Sequence, residues 1–164
     1  AAVTLVNSGE DPDTLTTVAD LDEFYAQFEF TGRRDGDESE LDAVRRSRPR
    51  LRRLLTAERD DAVGMVNEML REARALPQLT RHDQFDWHIH AVDPEAPLHA
   101  RITVETAMAM IDVIRADEMS RLGVCAQEDC EGIVLDLSRN RSKIFCGGSC
   151  SNRAAVAAYR ARNR

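Results

Sequence analysis

Cys125-Ala126-Gln127-Glu128-Asp129-Cys130 and Cys146-Gly147-Gly148-Ser149-Cys150 hold all four cysteines of a 164-residue chain in two close pairs. Zinc takes four soft ligands in a tetrahedron and accepts thiolates at about 2.3 Å, so two such pairs, each on a turn, can meet at one ion. Two disulfides or four buried thiols are the other readings of the same residues. The first fifteen residues lack a basic start and an apolar run, so they do not read as a secretion signal, and the expected location is the cytoplasm, where disulfides are rare. The C-x-x-C spacing of a redox pair is absent. The expectation is therefore one Zn²⁺ per chain on Cys125, Cys130, Cys146 and Cys150. Four protein ligands leave no position for a reacting water, so the ion is structural.

The surrounding residues predict how the ligands are carried. Gly132-Ile133-Val134-Leu135-Asp136-Leu137 reads as a strand, Ser138-Arg139-Asn140-Arg141 as a turn, and Ser142-Lys143-Ile144-Phe145 as a returning strand that ends at Cys146. Residues 152–162 are rich in Ala and Arg, both good helix formers. A turn with two cysteines, a hairpin, then two cysteines at a helix start is a treble-clef-like layout. The helix N-terminus also favours negative charge on Cys150.

Upstream, the pattern is mostly helical. Val3–Asn7 reads as a brief strand or an extended docking segment. Asp20 is a candidate N-cap with Glu23 three residues on, followed by Leu21, Phe24, Tyr25 and Phe28 at helical spacing. A second helix runs from about Glu38 through Leu41, Val44, Leu51, Leu54 and Leu55, with a kink or break expected at Pro49. A third opens at Asp60 or Asp61 and buries Val63, Val66, Met69 and Leu70. The period then changes to two. Phe85, Trp87, Ile89 and Ala91 alternate with polar residues, as do Leu98, Ala100, Ile102 and Val104 after the turn at 93–97. This predicts an antiparallel hairpin, then a helix from about Glu105. The fold class expected is α+β: residues 1–120 as a mostly helical domain with a small antiparallel hairpin, and residues 121–164 as the finger.

The net charge of −7 is unevenly spread. Residues 121–164 carry eight bases against four acids, +4, whereas residues 1–120 carry 14 against 25, −11. Two segments of opposite balance suggest two jobs. Arg139, Arg141 and Lys143 lie at the expected turn, and Asn152, Arg153 and Arg160 on the last helix, with Arg153, Arg160 and Arg164 on one face. Such residues can neutralise phosphates, with Asn152 or Arg153 near base edges. Four thiolates on one Zn²⁺ carry about −2, which lowers the module to about +2. Arg153 can instead hydrogen-bond the hairpin or support the zinc loop from behind.

In the expected hairpin His88, His90, His99 and Arg101 share one polar sheet face, which is either solvated or a pocket for a small acidic ligand or a metal. His82 carries no signal. No nucleotide-binding glycine pattern, nucleophile elbow or H-E-x-x-H occurs, so an enzyme is not expected. No apolar run approaches the length of a membrane span.

The stretches Cys125–Cys130, Leu135-Asp136-Leu137-Ser138-Arg139-Asn140-Arg141-Ser142, Cys146 and Cys150-Ser151-Asn152-Arg153 resemble the CGNR zinc finger, a bacterial module; Ser151 stands where its signature has glycine. Leu5-Val6-Asn7, the helices and the segment from Leu98 are similar to the ABATE domain usually joined to that finger. The resemblance implies a bacterial transcription regulator that binds DNA through the finger, with residues 1–120 sensing an effector or forming a homodimer. Two other readings are a protein-interaction adaptor and a small-molecule binding domain in which the finger is a structural cap.

Overall fold

The computed structural model describes residues 1–81 and 86–163. Its elements run α1 (Ala2–Asn7), α2 (Val18–Gln27), α3 (Glu38–Leu55), α4 (Arg59–Glu72), β1 (Gln78–Thr80), β2 (His88–His90), α5 (Leu98–Arg115), β3 (Leu122–Val124), β4 (Ile133–Leu135) and α6 (Gly148–Arg162). The class is α+β: helices dominate, with two small antiparallel sheets, β1–β2 and β3–β4. None of the described helices is long and apolar enough to cross a membrane.

The core forms where α1, α3, α4 and α5 pack together. Leu5, Leu21, Leu41, Leu51, Leu54, Leu98 and Ile102 are essentially inaccessible there. Ile133 of β4 belongs to the same cluster, so the core extends beyond residue 120 into the cysteine-bearing segment.

Several elements differ from expectation. Val3–Asn7 is part of helix α1, not a strand. Helical spacing lets Leu5 and Val6 bury together, and α1 packs on α3; that tertiary gain overrides the β preference of Val and Thr. The cap of α2 is Thr17, three residues before Asp20. Asp20 donates its amide to Thr17 Oγ1 (3.2 Å) and accepts the Thr17 amide at 2.8 Å, so it closes the capping box from inside. Helix α3 passes through Pro49 without a break. Pro49 lies on the exposed face, where water can satisfy the Arg45 carbonyl that loses its helical donor. In α4 the N-cap is Glu58; Asp60 and Asp61 fall in the first turn, and Ala62, not Val63, joins Val66 and Met69 in the core.

The largest correction concerns residues 98–104. They form the first two turns of α5, so the predicted hairpin with residues 85–91 does not exist. Leu98, Ile102 and Val104 of the period-two pattern are buried on α5 together with Arg101, Thr106 and Ala107, a helical set, whereas Ala100 is only half-buried. Strand β2 pairs instead with β1, in the register Gln78↔His90, Leu79↔Ile89, Thr80↔His88. Phe85 and His82 lie outside the described residues.

Buried arginines tie the loops to this framework. Arg48 donates to Asp13 at 2.8 and 3.1 Å and to Ser8 Oγ at 2.9 Å, which fixes the segment between α1 and α2. Arg101 donates to the carbonyls of Thr31, Arg33 and Ala96 and so holds the loop before α3. That loop turns at Gly32, whose φ of +84° and approach to the Pro94 carbonyl exclude a β-carbon.

Candidate metal centre

Strand β3 delivers the chain to Cys125, and the turn that follows is closed by the Cys130 amide donating to the Gln127 carbonyl (3.1 Å). Strand β4 pairs with β3 in the register Leu122↔Leu135, Gly123↔Val134, Val124↔Ile133. This corrects the expected hairpin. The partner of residues 133–135 lies before the first cysteine pair, and residues 142–145 form no strand; the Ala126 amide donating to the Ile144 carbonyl (2.8 Å) is their link to the turn. The reason lies with Asp136. Its buried carboxylate accepts from the amides of Ser138 (2.7 Å) and Lys143 (2.8 Å) and curls residues 137–143 into a loop rather than a ladder. Hydrogen bonds from Ser138, then from the Lys143 amide, hold this carboxyl below its ordinary range. Helix α6 starts at Gly148, earlier than the expected residue 152, and carries Cys150 in its first turn.

The four sulfurs converge, all within 4.8 Å of one another. The Cys130–Cys146 separation is 3.6 Å and the Cys146–Cys150 separation 3.7 Å. A tetrahedron with Zn–S bonds of about 2.3 Å requires sulfurs about 3.8 Å apart. The four residues thus fit one Zn²⁺ in a closed site. No disulfide joins them.

The groups around the sulfurs are those a tetrathiolate needs. The Gly132 amide donates to Cys130 Sγ and the Cys146 amide to Cys125 Sγ, each at 3.4 Å. Arg153 Nη2 lies 3.2 Å from Cys150 Sγ and brings that thiol down to about 7. Burial, then the neighbouring thiols, push Cys146 far up. Four thiols so close cannot all ionise alone, and the charge of the ion resolves this conflict. Gly132 was not foreseen as part of the site. A β-carbon there would meet Cys146 Sγ at 2.9 Å and Cys130 Sγ at 3.3 Å. Its position two residues after a cysteine, before a strand, was the available signal.

The module is held by side chains from the helices. Asn7 Nδ2 donates to the Ile133 carbonyl (2.8 Å) while its Oδ1 accepts the Ile133 amide (2.6 Å). Arg52 donates to the Glu131 carbonyl (2.6 Å) and pairs with Glu10. Both contacts act within three residues of Cys130. Within the module Arg121 reaches the carbonyls of Asp136 (3.0 Å) and Ser138 (3.2 Å), and its pair with Glu118 (2.6 Å) ties it to the preceding residues.

Three of the six residues considered for nucleic acid are engaged within the protein. Arg141 pairs with Glu118 (2.9 Å) and Ser120, Lys143 donates to the Leu135 carbonyl (3.2 Å), and Arg153 supports Cys150. Arg139, Asn152 and Arg160 are exposed. Asn152, Arg153, Val156, Ala157 and Arg160 line one shallow groove on α6. Arg164 lies outside the described residues.

The four residues expected on one sheet face do not share it. His88 and His90 remain together on β2, with Nε2 atoms 2.8 Å apart. His99 and Arg101 sit on α5. Arg101 is buried and committed to three carbonyls, and burial, reinforced by Arg46, lowers the His99 pKa.

No curated protein matches the chain. Residues 121–163 match the CGNR zinc finger, and residues 1–117 match ABATE, a family described as "putative stress-induced transcription regulator". With more than two thirds of its length matched by the first and its four cysteines gathered in the second, the chain belongs to the ABATE family and carries one structural zinc in a CGNR finger.

Proposed function

We propose that this chain is a DNA-binding transcription regulator, with residues 121–164 as the DNA-binding finger and residues 1–120 as a sensor or dimerisation unit acting on it in the bacterial cytoplasm. The observation that carries the reading is the exposed α6 groove, with Asn152, Arg153 and Arg160 on its walls. Helix α6 projects three turns beyond Cys150 with every residue from 155 to 163 exposed, so it is free to enter a groove. Zinc and Arg153 support its first turn, and Asn7, Arg52 and Glu118 tie the module to the helices. Arg139 and Arg160 supply charge for phosphates, and Asn152 is placed to reach base edges. No catalytic role is assigned to any residue.

The test is fluorescence anisotropy with mixed-sequence duplex DNA across a salt series. Binding should weaken with a log–log slope of roughly −2, for about two phosphate contacts. Arg160→Ala should reduce the slope by about one without loss of metal. Val156 and Tyr159 are also exposed on α6 and favour a second reading, a finger that docks on another protein. Absence of DNA binding at low salt by the zinc-loaded protein would favour that adaptor.

A further inference from the structure

A cavity of about 320 Å³ lies where α5 meets the zinc module. Ile102, Met110 and Val113 of α5 contribute to it from one part of the chain, and Leu135 and Leu137 from the other. Its volume falls at the small end of ligand pockets, and its walls are mostly apolar, as such pockets are. Leu137 is 77% exposed, a large apolar side chain standing in solvent at the edge of the space.

The polar side chains in the walls are those of Glu105, Thr106, Glu118 and Arg121; Ala1 also lines the space, and burial lowers the pKa of its amino group, which is not among the charges that act on Glu105. Three of these side chains are already occupied. Thr106 donates to the Ile102 carbonyl (2.7 Å), and Glu118 accepts from both Arg121 (2.6 Å) and Arg141 (2.9 Å). Glu105 is half-buried and, among the described residues, has neither a hydrogen bond nor an ion pair. The side chains whose fields act on it are Arg101 and His88, but Arg101 spends its guanidinium on three backbone carbonyls. Burial outweighs both fields and raises the Glu105 carboxyl above its ordinary range. A carboxylate in an apolar recess with no group bonded to it is costly unless a ligand supplies a partner.

We propose that this cavity binds a small organic cation, a protonated amine on an apolar body about the size of one aromatic ring with a short chain, its ammonium against Glu105 and its body between α5 and Leu135–Leu137. Such a ligand covers Leu137 and touches the helical core and the zinc module at once. Its binding therefore favours the arrangement in which the two are packed together. This names a ligand class for the sensor role given above to residues 1–120 and rests on that role. Ligand binding is read with no DNA present, so its failure is distinct from a failure of DNA binding.

The experiment is isothermal titration calorimetry of the zinc-loaded 164-residue protein with 2-phenylethylamine, 2-phenylethanol and phenylacetate. The amine should bind about tenfold tighter than the alcohol, and phenylacetate should not bind. Glu105→Gln should erase the amine's advantage and leave the alcohol's affinity unchanged. Ala109→Phe, which puts a ring into the cavity from α5, should abolish both, and it decides the matter alone if Glu105→Gln does not fold by circular dichroism. The proposal is overturned if none of the three binds, if the amine binds no tighter than the alcohol or the acid, or if the amine's affinity survives the substitutions.

Discussion

Removing the Asn7 side chain leaves the amide and carbonyl of Ile133 without partners at a residue only 1% exposed. Two orphaned backbone groups cost about 2–4 kcal/mol, so Asn7→Ala should lower the unfolding free energy by that amount in urea titrations of the zinc-loaded protein. Gly132→Ala acts on the metal instead. Its new methyl group must displace Cys146 or Cys130, and competition with a chromogenic chelator should show zinc affinity reduced about ten- to a hundredfold. The residues of the site differed in how readable they were. The cysteine pairs announced themselves by spacing alone. Asn7 was visible only within the Leu5-Val6-Asn7 triad that carried the family resemblance, because a contact to residue 133 leaves no local trace. Arg153 was legible as a support for the zinc loop, and its bond to Cys150 takes that form.

At the scale of elements, the segment between α1 and α2 is held by one ion-pair cluster. Asp13 accepts two hydrogen bonds from Arg48 and one from the Leu15 amide, with Arg45 beside them, and the Arg48 bonds lead in pulling its carboxyl below the ordinary range. A carboxyl with a lowered folded pKa contributes its full stability above the unfolded value, near about 4, and loses it as pH falls through the folded value. Asp13→Asn should therefore destabilise the protein at pH 7, and the gap to wild type should close progressively below about pH 4 in urea midpoints measured down a pH series. The helices themselves were legible where the apolar period was long, as in α3 and α4. Residues 98–104 were misread because seven residues satisfy a period of two and a period of 3.6 together, and only burial against α3 and α4 selects between them. Likewise Ser142–Phe145 has strand-like residues, but Asp136 captures the Lys143 amide and bends the chain away.

At the scale of the molecule, the boundary near residue 120 is a boundary of chemistry more than of packing. Ile133 lies in the main core, and Asn7 and Arg52 bridge the two parts, as do Arg121 and Arg141 through Glu118. Metal binding is therefore linked to the stability of the whole chain. Chelation of zinc should unfold residues 125–150 and also lower amide-exchange protection in α1, whereas α4, which has no such bridge, should keep its protection. Hydrogen exchange with and without chelator reads this directly. Equal protection in α1 under both conditions would show that the two parts are thermodynamically independent. The overall class and the presence of two differently charged parts were legible from composition and cysteine spacing; the degree of their interlocking was not, since it rests on long-range contacts.

The pairing of Asn7 with Ile133 has one more consequence. Among the described residues strand β4 has a neighbour, β3, on one side only, and in an antiparallel ladder alternate residues turn their amides and carbonyls outward. A bare edge of that kind is a template on which a foreign strand can add. The carboxamide of Asn7 occupies this position with one donor and one acceptor, in the manner of a single dipeptide that cannot be extended. The helix that carries it thus guards against self-association as well as filling the core, and Asn7→Ala should raise aggregation of the folded chain in light scattering.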